Sequence, residues 1–374
     1  MCMNEFRIDV PEAEIDELRR RLTGTRWPDE VDGGGWDYGI PLGRVQQLAR
    51  RWATDFDWRV QERALNAYPQ SVVLIDGLEV HFLHVRSERV DAQPLLLVHG
   101  WPGTFAEFRH VIPLLRERFH LVVPSIPGFG FSGRPVERGW GLTRVARAFG
   151  SLMGVLGYER FGAHGGDWGS GVVRTLAAQE PERVSGVHVT YLPTVGPVDG
   201  LGAEDRARVE HAARYAANRP GYQVLQATRP QTLAYALTDS PVGQLAWIAE
   251  KFTEWTDPAT IPDDDEILTA VSIYWFTRTA GSSARLTKES AGPAAVSTRV
   301  PMGVVVMPHD IVRSVRVLAE RNHNVQRWTE FARGGHFAAL ETPAELAEDI
   351  IAFFSGTSIP EKRAENVSVR SVKD

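Results

Sequence analysis

The stretch Gly165-Gly166-Asp167-Trp168-Gly169 decides how this chain is interpreted. It follows a short apolar run at residues 161–164 and precedes a helical pattern at residues 172–178. Small residues two positions before and two after a nucleophile permit a tight strand-to-helix turn that exposes the side chain between them, usually a serine. Here that residue is Asp167. A glycine-rich turn with an aspartate N-cap would have the same five residues, so the pentapeptide alone leaves both interpretations open.

The order of two later residues favours the nucleophile. Asp310 follows a predicted strand that ends at Met307, and His336 lies in Arg333-Gly334-Gly335-His336-Phe337 after another predicted strand. Taken singly, each is better explained as an ordinary turn or loop residue. A nucleophile, an acid and a histidine in this chain order, each at a strand end, are expected of an α/β-hydrolase. We therefore predict a catalytic triad of Asp167, Asp310 and His336.

A second glycine-containing loop, His99-Gly100-Trp101-Pro102-Gly103, also follows a predicted strand. In an α/β-hydrolase this loop donates one backbone N–H to the oxyanion, and the residue after the nucleophile donates the other. The predicted oxyanion-hole donors are therefore Trp101 and Trp168. Gly/Pro turns are common, so this motif carries weight only together with the triad.

The spacing of apolar runs predicts an α/β fold. Runs with turn signals at their ends occupy residues 71–75, 80–85, 95–98, 121–123, 161–164, 184–189 and 300–306. Asp76-Gly77 predicts a hairpin between the first two runs, and helical stretches such as residues 143–156 separate later ones. This alternation predicts a mostly parallel sheet that helices cover on both faces.

We predict five segments along the chain. Residues 1–70 form an N-terminal helical or meander segment, because apolar residues recur there at helical spacing. Residues 71–190 and 299–356 form the two parts of the hydrolase core. Residues 191–298, which are mostly helical in pattern, form a cap inserted between them. The polar residues 357–374 form a disordered tail.

The composition excludes several classes of protein. The 374 residues include 41 Lys and Arg and 47 Asp and Glu, a net charge of −6 without basic clusters, which argues against nucleic-acid binding. The single cysteine, Cys2, excludes an intramolecular disulfide and a multi-cysteine metal site. No apolar stretch is long enough for a membrane helix, and the acidic start is neither a signal peptide nor an anchor. We predict a cytoplasmic protein without metal or cofactor, and leave open whether it is a homodimer.

Two motifs could indicate other functions, dinucleotide binding and metal binding, and we adopt neither interpretation. Gly128-Phe129-Gly130-Phe131-Ser132-Gly133 matches a dinucleotide-binding pattern, but prolines flank it and no helix is predicted after it. The acidic run Asp263-Asp264-Asp265-Glu266 could suggest metal ligands. We expect it instead to occupy the first turn of a helix, where acidic side chains are favourable.

Together these motifs resemble the microsomal-type epoxide hydrolases, a family of α/β-hydrolases, over nearly the whole chain. The similarity extends to Arg26-Trp27-Pro28-Asp29 near the N-terminus and to Gly221-Tyr222-Gln223 in the cap. It implies that Tyr222 is one of two cap tyrosines that hold the epoxide oxygen. The position of the second tyrosine is occupied here by Thr287, whose hydroxyl can bind substrate by a hydrogen bond but is too weak an acid to protonate it.

The nucleophile also limits the reaction. Carboxylate attack on an ester would give an anhydride, whereas attack on an sp3 carbon gives an alkyl ester. The resemblance implies that Asp167 opens a small-molecule epoxide and that His336, oriented by Asp310, activates the water that releases a vicinal diol. Two alternatives stay open. A haloalkane dehalogenase would share the nucleophile, although Trp101 stands where an asparagine often binds halide. A non-hydrolytic cyclase or a binding protein on the same fold would not require water activation.

Overall fold

The fold is an α/β-hydrolase core with a helical cap and an N-terminal extension. The computed structural model describes residues 3–218, 220–290 and 297–356. The strands are β1 (Met3–Phe6), β2 (Gln70–Ile75), β3 (Leu78–Val85), β4 (Gln93–Val98), β5 (Phe119–Pro124), β6 (Phe161–Gly165), β7 (Val184–Val189), β8 (Thr298–Val306) and β9 (His323–Glu330). The helices are α1 (Glu12–Thr23), α2 (Leu42–Thr54), α3 (Trp58–Leu65), α4 (Ile112–Leu115), α5 (Leu142–Val155), α6 (Asp167–Gln179), α7 (Ala203–Ala217), α8 (Gly221–Thr228), α9 (Pro230–Asp239), α10 (Pro241–Glu254), α11 (Asp264–Thr277), α12 (Ala280–Glu289), α13 (Arg316–Asn322), α14 (Ala338–Glu341) and α15 (Pro343–Gly356). Short 3₁₀ helices span Gly35–Tyr38 and Phe105–His110.

The strands form one sheet in the order β1-β2-β3-β5-β4-β6-β7-β8-β9. The first three pairs in this order, β1 with β2, β2 with β3 and β3 with β5, are antiparallel. All later pairs, from β5 with β4 to β8 with β9, are parallel. The central strands β5, β6 and β7 are buried along their whole length. They carry apolar residues on both faces because helices cover both faces, as the sequence predicts.

The parallel strands bring distant parts of the chain to one edge of the sheet. Trp101, Asp310 and His336 lie in the loops that follow β4, β8 and β9, and Asp167 is the first residue of α6, just after β6. Ligands and reacting groups of open α/β sheets lie outside the carboxyl ends of the strands. This edge is therefore where a functional site is expected, and the cap helices α7 to α12 enter the chain directly after β7.

The N-terminal extension differs in one respect from the sequence prediction. Residues 1–70 were predicted to be helical, and α1, α2 and α3 occupy most of them, but β1 is a strand that pairs antiparallel with β2. Its four residues are too few to show a period, and their order depends on partners about 70 positions away, such as Val73 for Met3. The prediction also assigned Thr298 to the cap, whereas β8 begins there. The predicted tail at residues 357–374 lies outside the described residues.

The extension is attached to the cap by polar contacts. Trp52 of α2 donates from its indole N–H to the Ser272 hydroxyl of α11, at 2.9 Å in a buried position. Arg51 pairs with Asp265 at 2.7 Å. The acidic run therefore makes ion pairs at the start of α11, and Asp263 caps that helix by accepting from the Glu266 N–H. No described helix is long and apolar enough to cross a membrane.

The glycine-rich run at residues 128–133 is a turn packed beneath the cap. Gly128 N–H donates to Gly133 O, and the Ser282 hydroxyl of α12 donates to Gly128 O. No helix of the described chain starts immediately after it. The pattern therefore lacks the following helix whose N-terminus would bind a dinucleotide phosphate.

We expect the Trp52–Ser272 hydrogen bond to hold the extension on the cap. Trp52→Phe and Ser272→Ala each leave one buried polar group unpaired, at a cost of about 1–3 kcal/mol in the free energy of unfolding. The double variant removes both partners and should cost less than the sum of the two single variants. Chemical denaturation of all four proteins measures this coupling; strictly additive losses would show that the bond contributes no stability.

Candidate active site

Asp167 occupies a cramped turn between β6 and α6. Its φ is 45°, a left-handed conformation that non-glycine residues rarely adopt and that is often found at functional sites. A Cβ on Gly165 would lie 2.5 Å from the carbonyl carbon of Gly169, and a Cβ on Gly169 would overlap the carbonyl oxygen of Val98. The flanking glycines are therefore required by the closeness of backbone segments, which is the physical basis of the pentapeptide pattern.

The loop after β4 contacts the Asp167 carboxylate directly. The Trp101 N–H donates to Asp167 Oδ1 at 2.7 Å. A side chain at Gly100 would overlap Asp167 Cβ and Oδ1, so only glycine permits this approach. The predicted oxyanion donor Trp101 thus lies against one oxygen of the carboxylate.

The second predicted donor, Trp168, lies next to Asp167 in the first turn of α6. The first N–H groups of a helix have no acceptor within the helix. Among the described residues, no hydrogen bond joins the Trp168 N–H to the Asp167 carboxylate. The structure therefore brings Trp101, but not Trp168, into hydrogen-bond contact with the predicted nucleophile.

His336 and Asp310 meet behind Asp167. His336 Nδ1 lies 2.7 Å from Asp310 Oδ1, and both side chains are buried. His336 Nε2 lies 3.4 Å from Asp167 Oδ2 and is a buried nitrogen without a hydrogen-bond partner in the described part of the chain. The three residues that chain order grouped are therefore adjacent in space, with one imidazole nitrogen oriented by an acid and the other facing the carboxylate.

The loop that carries His336 is attached to the cap. The His336 N–H donates to Trp255 O at 2.8 Å, and a Cβ on Gly335 would lie 2.5 Å from the same oxygen. The buried Glu341 carboxylate accepts from the N–H groups of Asp257, Gly335 and Phe337. One carboxylate thus joins the cap backbone to the histidine loop, which fixes the height of His336 above the sheet.

The charge state of His336 depends on its two carboxylate neighbours. Burial disfavours the imidazolium, but Asp310 and Asp167 outweigh it and raise the pKa of His336 to about 10. At neutral pH the resting site therefore holds an imidazolium between two carboxylates. Neutralising one of these carboxylates would lower the pKa of His336 and release its proton.

Tyr222 of the cap lies over this group. Its ring stacks on Trp101, with centroids 5.2 Å apart and planes 10° from parallel, and contacts Trp255. The Tyr222 hydroxyl lies 3.3 Å from the hydroxyl of Tyr215. Burial and Tyr215 hold the pKa of Tyr222 well above its usual range, so the hydroxyl keeps its proton and can donate.

Thr287 has a partner of its own. Its hydroxyl donates to Gln226 Oε1 at 3.0 Å, and both side chains are buried. The Tyr274 hydroxyl, which is fully buried, donates to Gly103 O at 3.0 Å. The hydroxyls of Thr287 and Tyr274 thus have other partners, and the hydroxyl next to that of Tyr222 belongs to Tyr215.

Sequence reasoning missed two residues of this site. Tyr215 belongs to α7 and precedes Tyr222 by seven positions, so its chain position gives no sign of contact. Glu107 belongs to the 3₁₀ helix after the Trp101 loop and lines a small cavity together with Asp167 and His336. Within the described ranges, no group of three or more His, Cys, Asp or Glu side chains could hold a metal ion.

Comparison with known proteins assigns the chain to a family. The model for the "Epoxide hydrolase N terminus" matches residues 3–108, and the model for the "alpha/beta hydrolase fold" matches residues 93–209. Epoxide hydrolase 1 of Sus scrofa is 34% identical over 93% of this chain and 87% of its own length. The chain belongs to the epoxide hydrolase family. A Stigmatella aurantiaca protein provisionally named as an epoxide hydrolase is 42% identical, over 92% of this chain and 83% of its own.

A solved structure of this family has the same architecture. The epoxide hydrolase of Aspergillus niger matches with a TM-score of 0.89 and 32% identity, over 96% of this chain and 97% of that chain. The cap and the N-terminal extension are therefore included in the similarity, not only the hydrolase core. The predicted fold and family are confirmed, and this epoxide hydrolase family member is an enzyme of the hydrolase class.

We expect the pKa of His336 to depend on the charge of Asp167. In the parent protein the imidazole should stay protonated until the pH approaches about 10. Asp167→Asn removes one carboxylate and should lower that pKa, because the imidazolium loses an attractive charge. NMR titration of the imidazole nitrogens measures both values, and Asp239→Asn, at an exposed position, serves as a matched control. An unchanged or higher pKa in Asp167→Asn would contradict this electrostatic coupling.

Proposed function

We propose that this protein hydrolyses an epoxide to a vicinal diol through a covalent ester on Asp167. The observation that carries the proposal is the carboxylate in the turn between β6 and α6, held on one side by the Trp101 N–H and faced on the other by the His336–Asp310 pair. The named relatives and the solved structure of the Aspergillus niger enzyme support epoxide hydrolysis as the overall reaction.

In the first step one oxygen of Asp167 attacks an epoxide carbon. The carbon–oxygen bond of the ring breaks, and the developing alkoxide needs a proton donor. Tyr222 is the donor that lies above the nucleophile, and Tyr215 supports it through its neighbouring hydroxyl. Tyr215 thereby takes the place that the family's second tyrosine would have at Thr287. The proton that Tyr222 gives up is replaced by the one on His336.

Ester formation prepares His336 for the second step. Asp167 loses its charge when it becomes an ester, so the pKa of His336 falls and its proton leaves for the tyrosine. The neutral imidazole, oriented by Asp310, then takes a proton from water as the water oxygen attacks Asp167 Cγ. Of the two water protons, one restores the imidazolium and the other goes to the leaving diol oxygen. The cycle closes with the carboxylate and the imidazolium of the resting site.

The ester carbonyl becomes an oxyanion during that attack. The Trp101 N–H already donates to Asp167 Oδ1, so it is in place to stabilise the charge. Trp168 N–H, at the start of α6, is the second donor once the carboxylate has become an ester. Removing one such donor typically costs about 10²–10³ in rate.

Two properties predicted from the sequence stay predictions, namely a cytoplasmic location and the possible homodimer. The substrate is a small-molecule epoxide held between the cap aromatics and Asp167. The alternatives of dehalogenation and of non-hydrolytic ring opening differ from this proposal in what is released. Parallel assays of diol, halide and incorporation of water oxygen distinguish all three.

We expect a single turnover in 18O-water to label Asp167 before the diol, since the water attacks the ester carbonyl. Asp167→Ala should form no ester. His336→Gln should form it and hydrolyse it slower by about 10²–10⁴-fold, because general-base help is lost. Asp310→Asn should give a milder defect of the same kind. Mass spectrometry of the protein follows ester and label, and label found only in the diol would rule out the covalent route.

The two tyrosines should differ in their effects on ring opening. Tyr222→Phe removes a charge-assisted hydrogen bond to the alkoxide and should slow ester formation by about 10- to 150-fold. Tyr215→Phe should slow it less, because Tyr215 acts through Tyr222. Tyr235→Phe, at an exposed position of α9, is the matched control and should match the parent. Ester formation at the parent rate in Tyr222→Phe would remove this residue from the mechanism.

A further inference from the structure

A cavity of about 20 Å³ lies against the nucleophile. Its polar lining comes from Glu107, His164, Asp167, Thr190 and His336. One water molecule needs about 10–15 Å³ and two to four polar partners, so the space fits one water. We call it the water chamber. Its apolar walls include Phe108 and Leu346.

Glu107 is a carboxyl group that the proposed reaction does not yet use. No described residue donates a hydrogen bond to its carboxyl group or accepts one from it. The chain makes room for it, because a side chain at Gly103 would overlap Glu107 Oε2. Removal from bulk water raises the pKa of Glu107 to about 8, with His336 opposing and Asp167 adding to the rise. At neutral pH this carboxyl is therefore mostly protonated and can both donate and accept.

His164 also lines the water chamber. Its Nδ1 lies 2.9 Å from Nδ1 of His188, whose Nε2 lies 3.0 Å from Asp349 Oδ2. Asp349 also accepts hydrogen bonds from Arg327 and Thr329. These bonds fix Asp349 and, through it, the two histidines. Nδ1 of His164 is therefore occupied by His188. His336 adds Nε2, which has no hydrogen-bond partner among the described residues.

We propose that the water chamber holds the water that hydrolyses the Asp167 ester, and that Glu107 binds this water and directs it at Asp167 Cγ beside His336 Nε2. The inference rests on the proposed function and extends it by one residue. The water oxygen forms the new bond to Cγ and passes a proton to His336. The bond from Cγ to the product oxygen then breaks, and the diol oxygen takes the second proton.

The two half-reactions separate this role from a merely structural one. Glu107→Leu removes the polar group at similar size and should slow ester hydrolysis by at least about tenfold, with ester formation within about threefold of the parent. Glu107→Gln keeps a donor and an acceptor and should hydrolyse the ester within about threefold of the parent rate. Glu117→Leu makes the same change at an exposed position and should leave both rates unchanged.

Rapid quenching and mass spectrometry of the protein measure both rates for each variant. Equal slowing of the two steps in Glu107→Leu, or hydrolysis at the parent rate, would overturn the assignment of Glu107. If the parent protein forms no ester, the proposed function fails and the water site fails with it. If the parent forms and hydrolyses an ester that Glu107→Leu hydrolyses equally fast, only the water site is wrong.

A crystal structure of the parent protein gives a test that does not depend on the folding of a variant. An ordered water within hydrogen-bond distance of both Glu107 and His336 would support the proposal. Density that shows no water there, at a resolution where other buried waters are visible, would overturn it.

Discussion

The turn that carries Asp167 is the constraint on which the rest of the site depends. Its backbone is left-handed, and the segments around it leave no space for side chains at Gly165, Gly169 or Gly100. This turn places the Asp167 carboxylate at the edge of the sheet, where it accepts a hydrogen bond from the Trp101 N–H. Packing on three sides fixes where the nucleophile lies, and every other group of the site is arranged around that point.

Buried hydrogen bonds join the cap to the histidine loop and the N-terminal extension to the cap. Glu341 joins the cap backbone to the histidine loop, and Trp52 joins the extension to α11. A buried polar group without a hydrogen-bond partner lowers the stability of the fold, whereas a paired one favours a single packing arrangement. The cap is therefore held in register with Asp167 and His336.

The electrostatics of the site suit a two-step reaction. An imidazolium between two carboxylates is stable, yet it cannot act as a base. Loss of the charge on Asp167 changes that balance without any movement of the chain, because the pKa of His336 depends on both neighbours. A serine nucleophile carries no charge at rest and could not switch the histidine in this way. In the proposed mechanism, the identity of the nucleophile thus determines the chemistry at the carbon and also the timing of proton transfer.

The sequence by itself predicted where the strands end, the turn at Asp167 and the grouping of Asp167 with Asp310 and His336. These predictions follow from local rules: short apolar runs, glycines around one residue and a characteristic chain order. It also located Tyr222 through family resemblance. Tertiary structure alone decided that Tyr215 lies beside Tyr222, that Thr287 is engaged by Gln226, and that Glu107 borders the nucleophile. It decided likewise that β1 is a strand. These are contacts between segments whose spacing along the chain carries no period or motif, and they arise only when packing brings the segments together.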